Sequence, residues 1–302
     1  MICSVCIATY KRPKLLQELL RSVINQVLPV DVTLEIIVVD NDPGGSADQT
    51  VRQFHCTGQI RLLFFRQNIK NISITRNIAV RNSTGIYLLF IDDDEVACPD
   101  WIVKLLRTLK EYDADGVFGP VMPRFDQSAP EWMKKGVLQL SGTVLETATG
   151  TEAKTMWSGN CLVRASLLRE LEGPFDPEYG ITGGEDSELF AKLNRRGAKF
   201  VYCREAYVFE YWPSERMQAS YLVKRGLRWG NTHTRRSITN SNRKILIRLF
   251  LLVKSIFYGL ISTLLMIVCF PNKISRVYWK TKIASNIGRF MAVFGKYCQA
   301  YK

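Results

Sequence analysis

The sequence contains little histidine, and its C-terminal part contains no acidic residue. Two histidines, His55 and His233, occur among 302 residues, and neither lies in a recognisable motif. With so few histidines, we exclude a histidine-based catalytic triad and a multi-histidine metal site.

Acidic residues stop before Arg216. From Arg216 to Lys302 there are 17 Lys and Arg and no Asp or Glu, whereas residues 1–215 hold 24 basic and 28 acidic residues, a net charge of −4. The overall charge of +13 therefore belongs to the tail and not to the body of the protein. We do not predict nucleic-acid binding from it.

Three common signatures are also missing. No G-x-G-x-x-G follows the first strand, so a bound diphosphate would have to be neutralised by other groups. The eight cysteines are scattered, and the only C-x-x-C, Cys3 to Cys6, lies in an apolar strand where its two side chains point to opposite faces. We expect free thiols in a reducing cytosol. No basic segment precedes the apolar start, so we expect no signal peptide.

Apolar segments of strand length alternate with amphipathic segments of helical spacing. Pro13 is well placed to begin the first helix. This alternation predicts a parallel α/β unit with right-handed connections. The predicted strands are 2–9, 34–39, 60–65, 87–91, 116–120 and 159–163; predicted helices start at 13, 71 and 101, and another follows the last strand. Residues 124–156 are less regular, and Pro123, Pro130 and Trp132 favour a loop over the site.

Four consecutive acids, Asp92 to Glu95, follow the apolar strand Tyr87–Ile91. Adjacent carboxylates repel one another and require a positive partner when buried, and a divalent cation with oxygen ligands is the simplest candidate. In open α/β sheets, ligands bind outside the carboxyl ends of the strands. The alternative interpretation is a solvated acidic turn.

Two further clusters carry candidate polar groups. Asp40 and Asn41 follow the second strand, where a carboxylate can accept hydrogen bonds from a base or ribose; a turn-forming pair explains them equally well. Gly183 and Gly184 precede Glu185 and Asp186, so the backbone can approach a ligand closely, although acids at a helix start are also stabilising in themselves.

Several motifs in a fixed order together resemble a known family. They are Ala8-Thr9-Tyr10-Lys11-Arg12-Pro13, Val38-Val39-Asp40-Asn41, Asn71 to Asn77 (NISITRN), Phe90 to Glu95 (FIDDDE), and Trp157-Ser158-Gly159-Asn160 with Gly183-Gly184-Glu185-Asp186. Over residues 1–230 the chain resembles family 2 glycosyltransferases of the GT-A fold, a Rossmann-like α/β fold for nucleotide-diphospho-sugar transferases. It is most similar to the bacterial succinoglycan-type exopolysaccharide group.

The resemblance implies a role for each motif. Asp94 and Asp92 would bind Mn²⁺ or Mg²⁺, and Asp186 would be the general base, with Glu185 as the alternative base or a positioning partner. One-step displacement implies inversion at the anomeric carbon. The implied donor-nucleotide residues are Thr9, Tyr10, Arg12, Asp40, Arg76, Asp92 and Asp93. The implied acceptor or sugar residues are Trp157, Gly159, Asn160, Gly183 and Gly184.

Arg225 to Trp229 is superficially similar to the Q-x-x-R-W motif of processive synthases, but the Gln is missing. We infer no processivity from it. Arg225 and Arg228 remain candidates for holding a phosphate.

The tail has the composition of a membrane-associated segment. Residues 249–270 form an apolar run, interrupted by Lys254, that is about long enough to cross a bilayer. Basic residues flank it on both sides, so a true span and an in-plane segment both remain open. Residues 273–300 predict an amphipathic helix for an anionic membrane surface. Its basic face holds Lys282, Arg289 and Lys296, and its apolar face Ile283, Ile287, Phe290 and Phe294. The alternative is a helical pair packed on the catalytic domain.

The sequence therefore predicts a catalytic domain of residues 1–230 and a basic helical, membrane-associating tail of residues 231–302. The predicted protein is an inverting, metal-dependent glycosyltransferase that takes a UDP-sugar donor and a glycan or lipid-linked acceptor at the cytoplasmic face of a bacterial inner membrane. One alternative is a sugar nucleotidyltransferase. Such an enzyme needs a glycine-rich first loop, and residues 9–14 do not form one. The other is a non-catalytic membrane or nucleic-acid binder acting through the basic tail.

Overall fold

The computed structural model describes residues 1–141 and 147–299. Within them the strands are β1 (Ile2–Thr9), β2 (Thr33–Asp40), β3 (Ile60–Arg66), β4 (Tyr87–Ile91), β5 (Glu95–Ala97), β6 (Gly116–Phe118), β7 (Val121–Phe125), β8 (Asn160–Arg164), β9 (Phe200–Tyr202) and β10 (Val208–Trp212). The α-helices are α1 (Pro13–Ile24), α2 (Asp48–Arg52), α3 (Ile72–Arg81), α4 (Trp101–Glu111), α5 (Glu131–Ser141), α6 (Ala165–Arg169), α7 (Glu185–Arg195), α8 (Ala219–Thr239), α9 (Lys244–Val268) and α10 (Lys273–Val293).

A seven-stranded sheet of order β3-β2-β1-β4-β8-β6-β9 forms the centre of the first half of the chain. The first four strands in this order run parallel, as the alternation of strands and helices predicts. β8 then runs antiparallel to both β4 and β6, and β9 is parallel to β6. A three-stranded sheet has the order β5-β10-β7. The result is the mixed α/β architecture expected for the predicted fold class.

Helices cover both faces of the large sheet because its central strands are apolar on both sides. Alternate residues of one strand enter different cores: Cys3 and Val5 pack with α1 and α4, whereas Cys6 packs with α3, α6 and α7. All eight cysteines are free, as predicted.

The carboxyl ends of β1, β2 and β4 lie at one edge of the sheet. In the parallel register Thr9 is paired with Asp40, and Cys6 with Phe90, so the residues that follow these strands are neighbours. Lys11 has a φ of 55° and turns the chain into α1, which begins at Pro13 as predicted. This edge carries the acidic run after β4.

Two compact units are present. The first comprises residues 1–123, 144–180 and 185–211, and the second comprises residues 124–143, 181–184 and 212–302. These bounds differ from the division at residue 230 that the sequence predicts. The predicted division separates a catalytic from a membrane-associating part, and it stays a prediction.

Two sequence-based expectations about helices were wrong. Residues 131–141 form α5 and not a loop; Pro130 lies just before the helix, where a missing N–H breaks no helical bond, and its carbonyl accepts from Met133 at 2.8 Å. The rest of that predicted loop includes residues 142–146, which lie outside the described residues. The predicted helix 273–300 ends at Val293 because Gly295 adopts a φ of 75°, a common helix terminator. Lys296 is therefore not on its face.

Candidate active site

The acidic run after β4 is bound by groups from the end of β1. The Asp93 side chain is 7% exposed. It accepts a hydrogen bond from Thr9 Oγ1 at 2.8 Å and forms an ion pair with Arg12 Nη1 at 2.8 Å. The same Arg12 nitrogen lies 3.1 Å from Asp94 Oδ2. The backbone N–H of Tyr10 also points to Asp93, at 3.4 Å. The first positive partner of the acids is thus a side chain of the protein itself.

Arg76 is the second positive partner and connects two acidic motifs. It is 9% exposed, and its Nη2 donates to Asp92 Oδ1 at 2.9 Å. Its Nη1 donates to Oε1 of Glu185, whose side chain is 2% exposed. The strand end that carries Asp92 and the helix start that carries Glu185 therefore meet at one guanidinium group.

Burial perturbs the acids of this cluster strongly. It raises the pKa of Glu185 to about 7, against the lowering influence of Arg76 and with a further increase from Asp186. It raises the pKa of Asp93 to about 6, opposed by Arg12, and raises the pKa of Asp92 in the same direction, opposed by Arg76. A cation that enters the cluster would favour the ionised forms, so the site is electrostatically suited to a positive ligand.

Glu95 is the last and most buried residue of the acidic run. It is 3% exposed, its Oε2 accepts the backbone N–H of Asp92 at 2.8 Å, and burial near Asp92 and Asp94 raises its pKa well above the usual value. A Cβ at Gly159 would lie 2.8 Å from Glu95 Oε1 and 3.3 Å from Asp92 Oδ2. Glycine at this position therefore leaves space directly beside two carboxylates.

Helix α3 holds the segment that leads to Glu185. Asn71 caps the helix by accepting from the Ile74 N–H at 3.1 Å and donates to the Pro177 carbonyl at 2.9 Å. A Cβ at Gly180 would lie only 1.8 Å from Asn71 Oδ1, so this position requires glycine.

Asn77 makes a second clamp on the same segment. It accepts from the Phe175 N–H at 2.9 Å and donates to the Phe175 carbonyl at 2.7 Å. Sequence analysis quoted Asn71 and Asn77 only as the two ends of a family motif and assigned neither of them a role. Asparagine in the interior of a helix is unfavourable, and this is the signal by which the role of Asn77 could have been found.

Asp186 lies at the first turn of α7 with its carboxylate oriented by three donors. The N–H and Oγ of Ser158 lie 3.1 and 3.4 Å from Oδ2, and the Ser187 N–H lies 2.6 Å from Oδ1. The exposed N–H groups of a helix start also favour its negative charge. This carboxylate therefore has a fixed orientation, which a general base requires.

Other predicted residues have structural contacts. Asn160 is fully buried; it accepts from Trp101 Nε1 at 2.8 Å and donates to the carbonyls of Pro120 and Ala206 at 3.0 and 2.7 Å. Asp40 is also fully buried and accepts the backbone N–H groups of residues 42 and 47 at 2.9 and 2.8 Å. The contacts of Asn160 favour a role in holding strands together, and its acceptor role stays a prediction.

The remaining nucleotide and acceptor candidates lie as follows. The ring of Tyr10 has Lys70 Nζ at 5.0 Å and Lys11 Nζ at 5.3 Å from its centroid, which places two cations beside the end of β1. Trp157 is half-buried. Gly183 and Gly184 have φ values of 77° and 92°, a conformation that only glycine adopts without strain, and α7 starts directly after them.

The two candidate phosphate-binding arginines belong to α8. The Arg225 guanidinium lies 5.8 Å from the centroid of the Trp212 ring, and Arg228 is half-buried in the same helix. Their role in phosphate binding stays a prediction.

Comparison with known proteins identifies the family. Residues 4–172 match the model for glycosyl transferase family 2. The chain belongs to this family. It is therefore a glycosyltransferase, which decides against both the nucleotidyltransferase and the non-catalytic alternatives.

Individual relatives agree with this assignment. The succinoglycan biosynthesis protein ExoM of Rhizobium meliloti is 36% identical over 229 residues, which are 76% of this chain and 73% of ExoM. The poly(ribitol-phosphate) beta-N-acetylglucosaminyltransferase TarS of Staphylococcus aureus is 23% identical over 72% of this chain and 37% of its own length. The predicted succinoglycan-type resemblance is confirmed.

Solved structures of TarS residues 1–349 have a similar fold. The complex with UDP has a TM-score of 0.56 at 18% identity, and the complex with UDP-GlcNAc has a TM-score of 0.55 at 17% identity. Each comparison covers 98% of this chain and 93% of the other. The GT-A-like fold is thus confirmed.

Proposed function

We propose that this glycosyltransferase moves a sugar from a UDP-sugar to a glycan acceptor during assembly of a bacterial surface polysaccharide. One observation carries the proposal: Arg76 joins Asp92, after β4, to Glu185, at the start of α7, so the donor-side and acceptor-side acids form one cluster. The name of ExoM supports the polysaccharide, and the UDP and UDP-GlcNAc in the TarS complexes support the donor class.

The donor diphosphate would lie beside the acidic run. Arg12 is 41% exposed, so the rest of its guanidinium can reach a phosphate while Nη1 stays near Asp93. Lys11 and Lys70 flank Tyr10 at the same edge and add positive charge. Thr9 and Asp40 are paired at the ends of β1 and β2, and the nucleoside would bind beside these strand ends.

The carboxylates also fit a divalent cation. Magnesium that binds together with substrate phosphates, as in kinases and polymerases, uses only one or two protein carboxylates, so a full protein cage is not required. In the described residues no group of three or more His, Cys, Asp or Glu forms such a cage. Asp92 is 45% exposed, so its carboxylate is open to a cation from solvent. Asp94 and Asp92 would hold Mn²⁺ or Mg²⁺, which as a Lewis acid stabilises charge on the departing diphosphate.

Asp186 is the proposed general base. Its carboxylate takes the proton of the acceptor hydroxyl as that oxygen bonds to the anomeric carbon. The bond from the anomeric carbon to the diphosphate oxygen breaks in the same step, its electron pair leaves with UDP, and the sugar is transferred with inverted configuration. Glu185, bound to Arg76, positions this helix start and is the alternative base.

The acceptor would be lipid-linked and would be reached at the cytoplasmic face of the cell membrane. Within the described residues, α9 has the length and apolar composition of a membrane-crossing helix. This helix lies within residues 216–302, which contain seventeen basic and no acidic residues. The positive charge of that segment supports attachment to an anionic membrane.

The test is UDP release and product analysis with a panel of UDP-sugars, lipid-linked glycan acceptors and Mn²⁺ or Mg²⁺. We expect one donor to be used, the product to have inverted anomeric configuration by NMR, and Asp186→Asn to lower kcat by about 10²–10⁴-fold without weakening donor binding. Glu172→Gln, at an exposed position, is the matched control. Full activity of Asp186→Asn, or retained configuration, would overturn the mechanism.

A further inference from the structure

Helix α9 carries an unbroken apolar stripe along its whole length. Its members recur at spacings of three or four residues and are between 50% and 68% exposed, and none of them is polar. They are Leu246, Leu249, Val253, Ile256, Phe257, Leu260, Leu264 and Ile267. The opposite face contains its buried residues, Leu251, Ser255 and Ser262. A stripe of this size on a folded protein marks an interaction surface.

Helix α10 lies antiparallel beside α9 from end to end. Leu251 and Val293 share one apolar cluster, and a Cβ at Gly259 would lie 3.8 Å from Asn286 Cβ. At the other end, Arg276 donates to the carbonyl of Phe270 at 3.2 Å. Because the pairing covers the full length, any path that α9 takes through a membrane is also the path of α10.

Helix α8 is packed in turn against α10, in parallel and at very short range. A Cβ at Gly230 would lie 2.0 Å from the Ser285 carbonyl oxygen, and a Cβ at Gly288 would lie 2.0 Å from the Leu227 carbonyl oxygen. Asn231 also donates to the Gly288 carbonyl at 3.0 Å. The three helices therefore pack tightly together, and α10 contacts both α8 and α9.

The charges of α10 and α8 are incompatible with a path across the bilayer. α10 carries Lys280, Lys282 and Arg289 in its central and later turns, and α8 carries Arg225 and Arg228 among other basic residues. Each such charge is costly at the centre of a bilayer. To cross the bilayer alone, α9 would have to separate from α10. Its buried Ser255 and Ser262 would then be exposed to lipid.

We propose that α9 lies in the plane of one leaflet of an anionic bilayer, with its stripe in the acyl region and α10 on the aqueous side. This deepens the membrane contact of the proposed function but does not depend on sugar transfer. Charge complementarity identifies the partner, since residues 216–302 contain 17 basic and no acidic residues. Lys254, whose Nζ lies 5.7 Å from the Phe250 ring centroid, flanks the stripe and can extend to the headgroups.

Depth measurements on vesicles of phosphatidylglycerol and phosphatidylcholine distinguish the two orientations. Spin labels are placed on the intact protein at Leu249→Cys, Leu260→Cys and Ile267→Cys, with Ser255→Cys, on the buried face opposite the stripe, as the control. The background replaces the three partly exposed cysteines, Cys56, Cys269 and Cys298, with serine. We expect equal, shallow depths of about 5–10 Å at the three stripe positions. A spanning helix would place position 260 deepest and the other two at opposite surfaces, and this result would overturn the proposal.

A binding experiment tests the partner independently. Leu260→Asp should weaken sedimentation with anionic vesicles at least tenfold, whereas Thr239→Asp, which adds the same charge at an exposed site outside the stripe, should change it little. Circular dichroism checks that both variants are folded. Vesicle binding that is unaffected by Leu260→Asp, or a stripe that forms a dimer and leaves vesicles unbound, would refute the lipid assignment. Neither readout requires turnover, so failure of the proposed activity would be seen separately.

Discussion

Replacement of Arg76 by methionine should produce a loss of stability that grows with pH. The variant keeps an unbranched side chain but leaves the Glu185 carboxylate, 2% exposed, without its counter-charge. Removing one partner of a buried ion pair costs about 3–5 kcal/mol when the other partner stays ionised. Glu185 already has a pKa of about 7 with Arg76 present, and loss of the arginine raises that pKa further.

The sign of the pH dependence follows from this raised pKa. A carboxyl group that binds its proton more tightly in the folded state loses stability as pH rises from its unfolded pKa to its folded pKa. In the wild type, the Glu185 contribution should level off above about pH 7. In Arg76→Met it should continue to fall by about 1.4 kcal/mol per pH unit above pH 7.

The assay is urea unfolding at pH 6.0 and pH 8.5, monitored by tryptophan fluorescence in detergent. The double variant Arg76→Met/Glu185→Gln is the matched control because it removes the buried charge together with its partner. We expect the double variant to be more stable than Arg76→Met at pH 8.5 and to depend less steeply on pH, with a remaining slope from the raised pKa values of Asp92 and Glu95. An equal loss for the single variant at both pH values, or no recovery in the double variant, would refute the reasoning.

Three further outcomes are expected. Gly159→Ala should weaken metal-dependent donor binding roughly tenfold or more by displacing Glu95 and filling the space beside the acids, as measured by titration with UDP; unchanged affinity would contradict this. Asn77→Ala should lower the unfolding free energy by about 2–5 kcal/mol, since two buried backbone groups of Phe175 lose their partner, whereas a loss below 1 kcal/mol in urea unfolding would count against the clamp. Glu185→Gln should flatten the fall in stability between pH 4.5 and 7 by about 3 kcal/mol, and an unchanged pH profile would show that another group is responsible.

Much of the sheet could be predicted from the sequence because local pattern determines it. The predicted strand of residues 34–39 is β2, Thr33–Asp40, and the predicted start of α1 at Pro13 is correct. The antiparallel insertion of β8 between β4 and β6 was not predicted, since strand pairing across long sequence separations depends on tertiary packing rather than on periodicity.

The site was predicted in its residues but not in its connections. The acidic run indicated that a positive partner must be present, and the structure supplies Arg12 and Arg76 as two such partners. Arg76 connects Asp92 to Glu185, and Arg76 and Glu185 are 109 residues apart in the sequence. No local sequence pattern predicts a contact over that separation. Asn71 was read only as part of a family motif, and its hold on the Pro177 carbonyl became visible in the fold.

The tail illustrates the same limit. Composition alone identified the apolar run, but left open whether it crosses the membrane. The answer proposed above comes from the neighbours of α9: the full-length pairing with α10, and the glycine contacts of α10 with α8. Such contacts cannot be read from the periodicity of a single helix.

Calorimetric titration of the detergent-purified protein with UDP, with and without Mn²⁺, tests the central claim most directly. The account predicts UDP binding that is strengthened by Mn²⁺, and loss of this strengthening in Asp94→Ala, with Glu172→Gln behaving like the wild type. Binding of UDP that is indifferent to both Mn²⁺ and Asp94→Ala would contradict a metal-assisted donor site at the end of β4. Failure to bind UDP at all would contradict the proposed donor class.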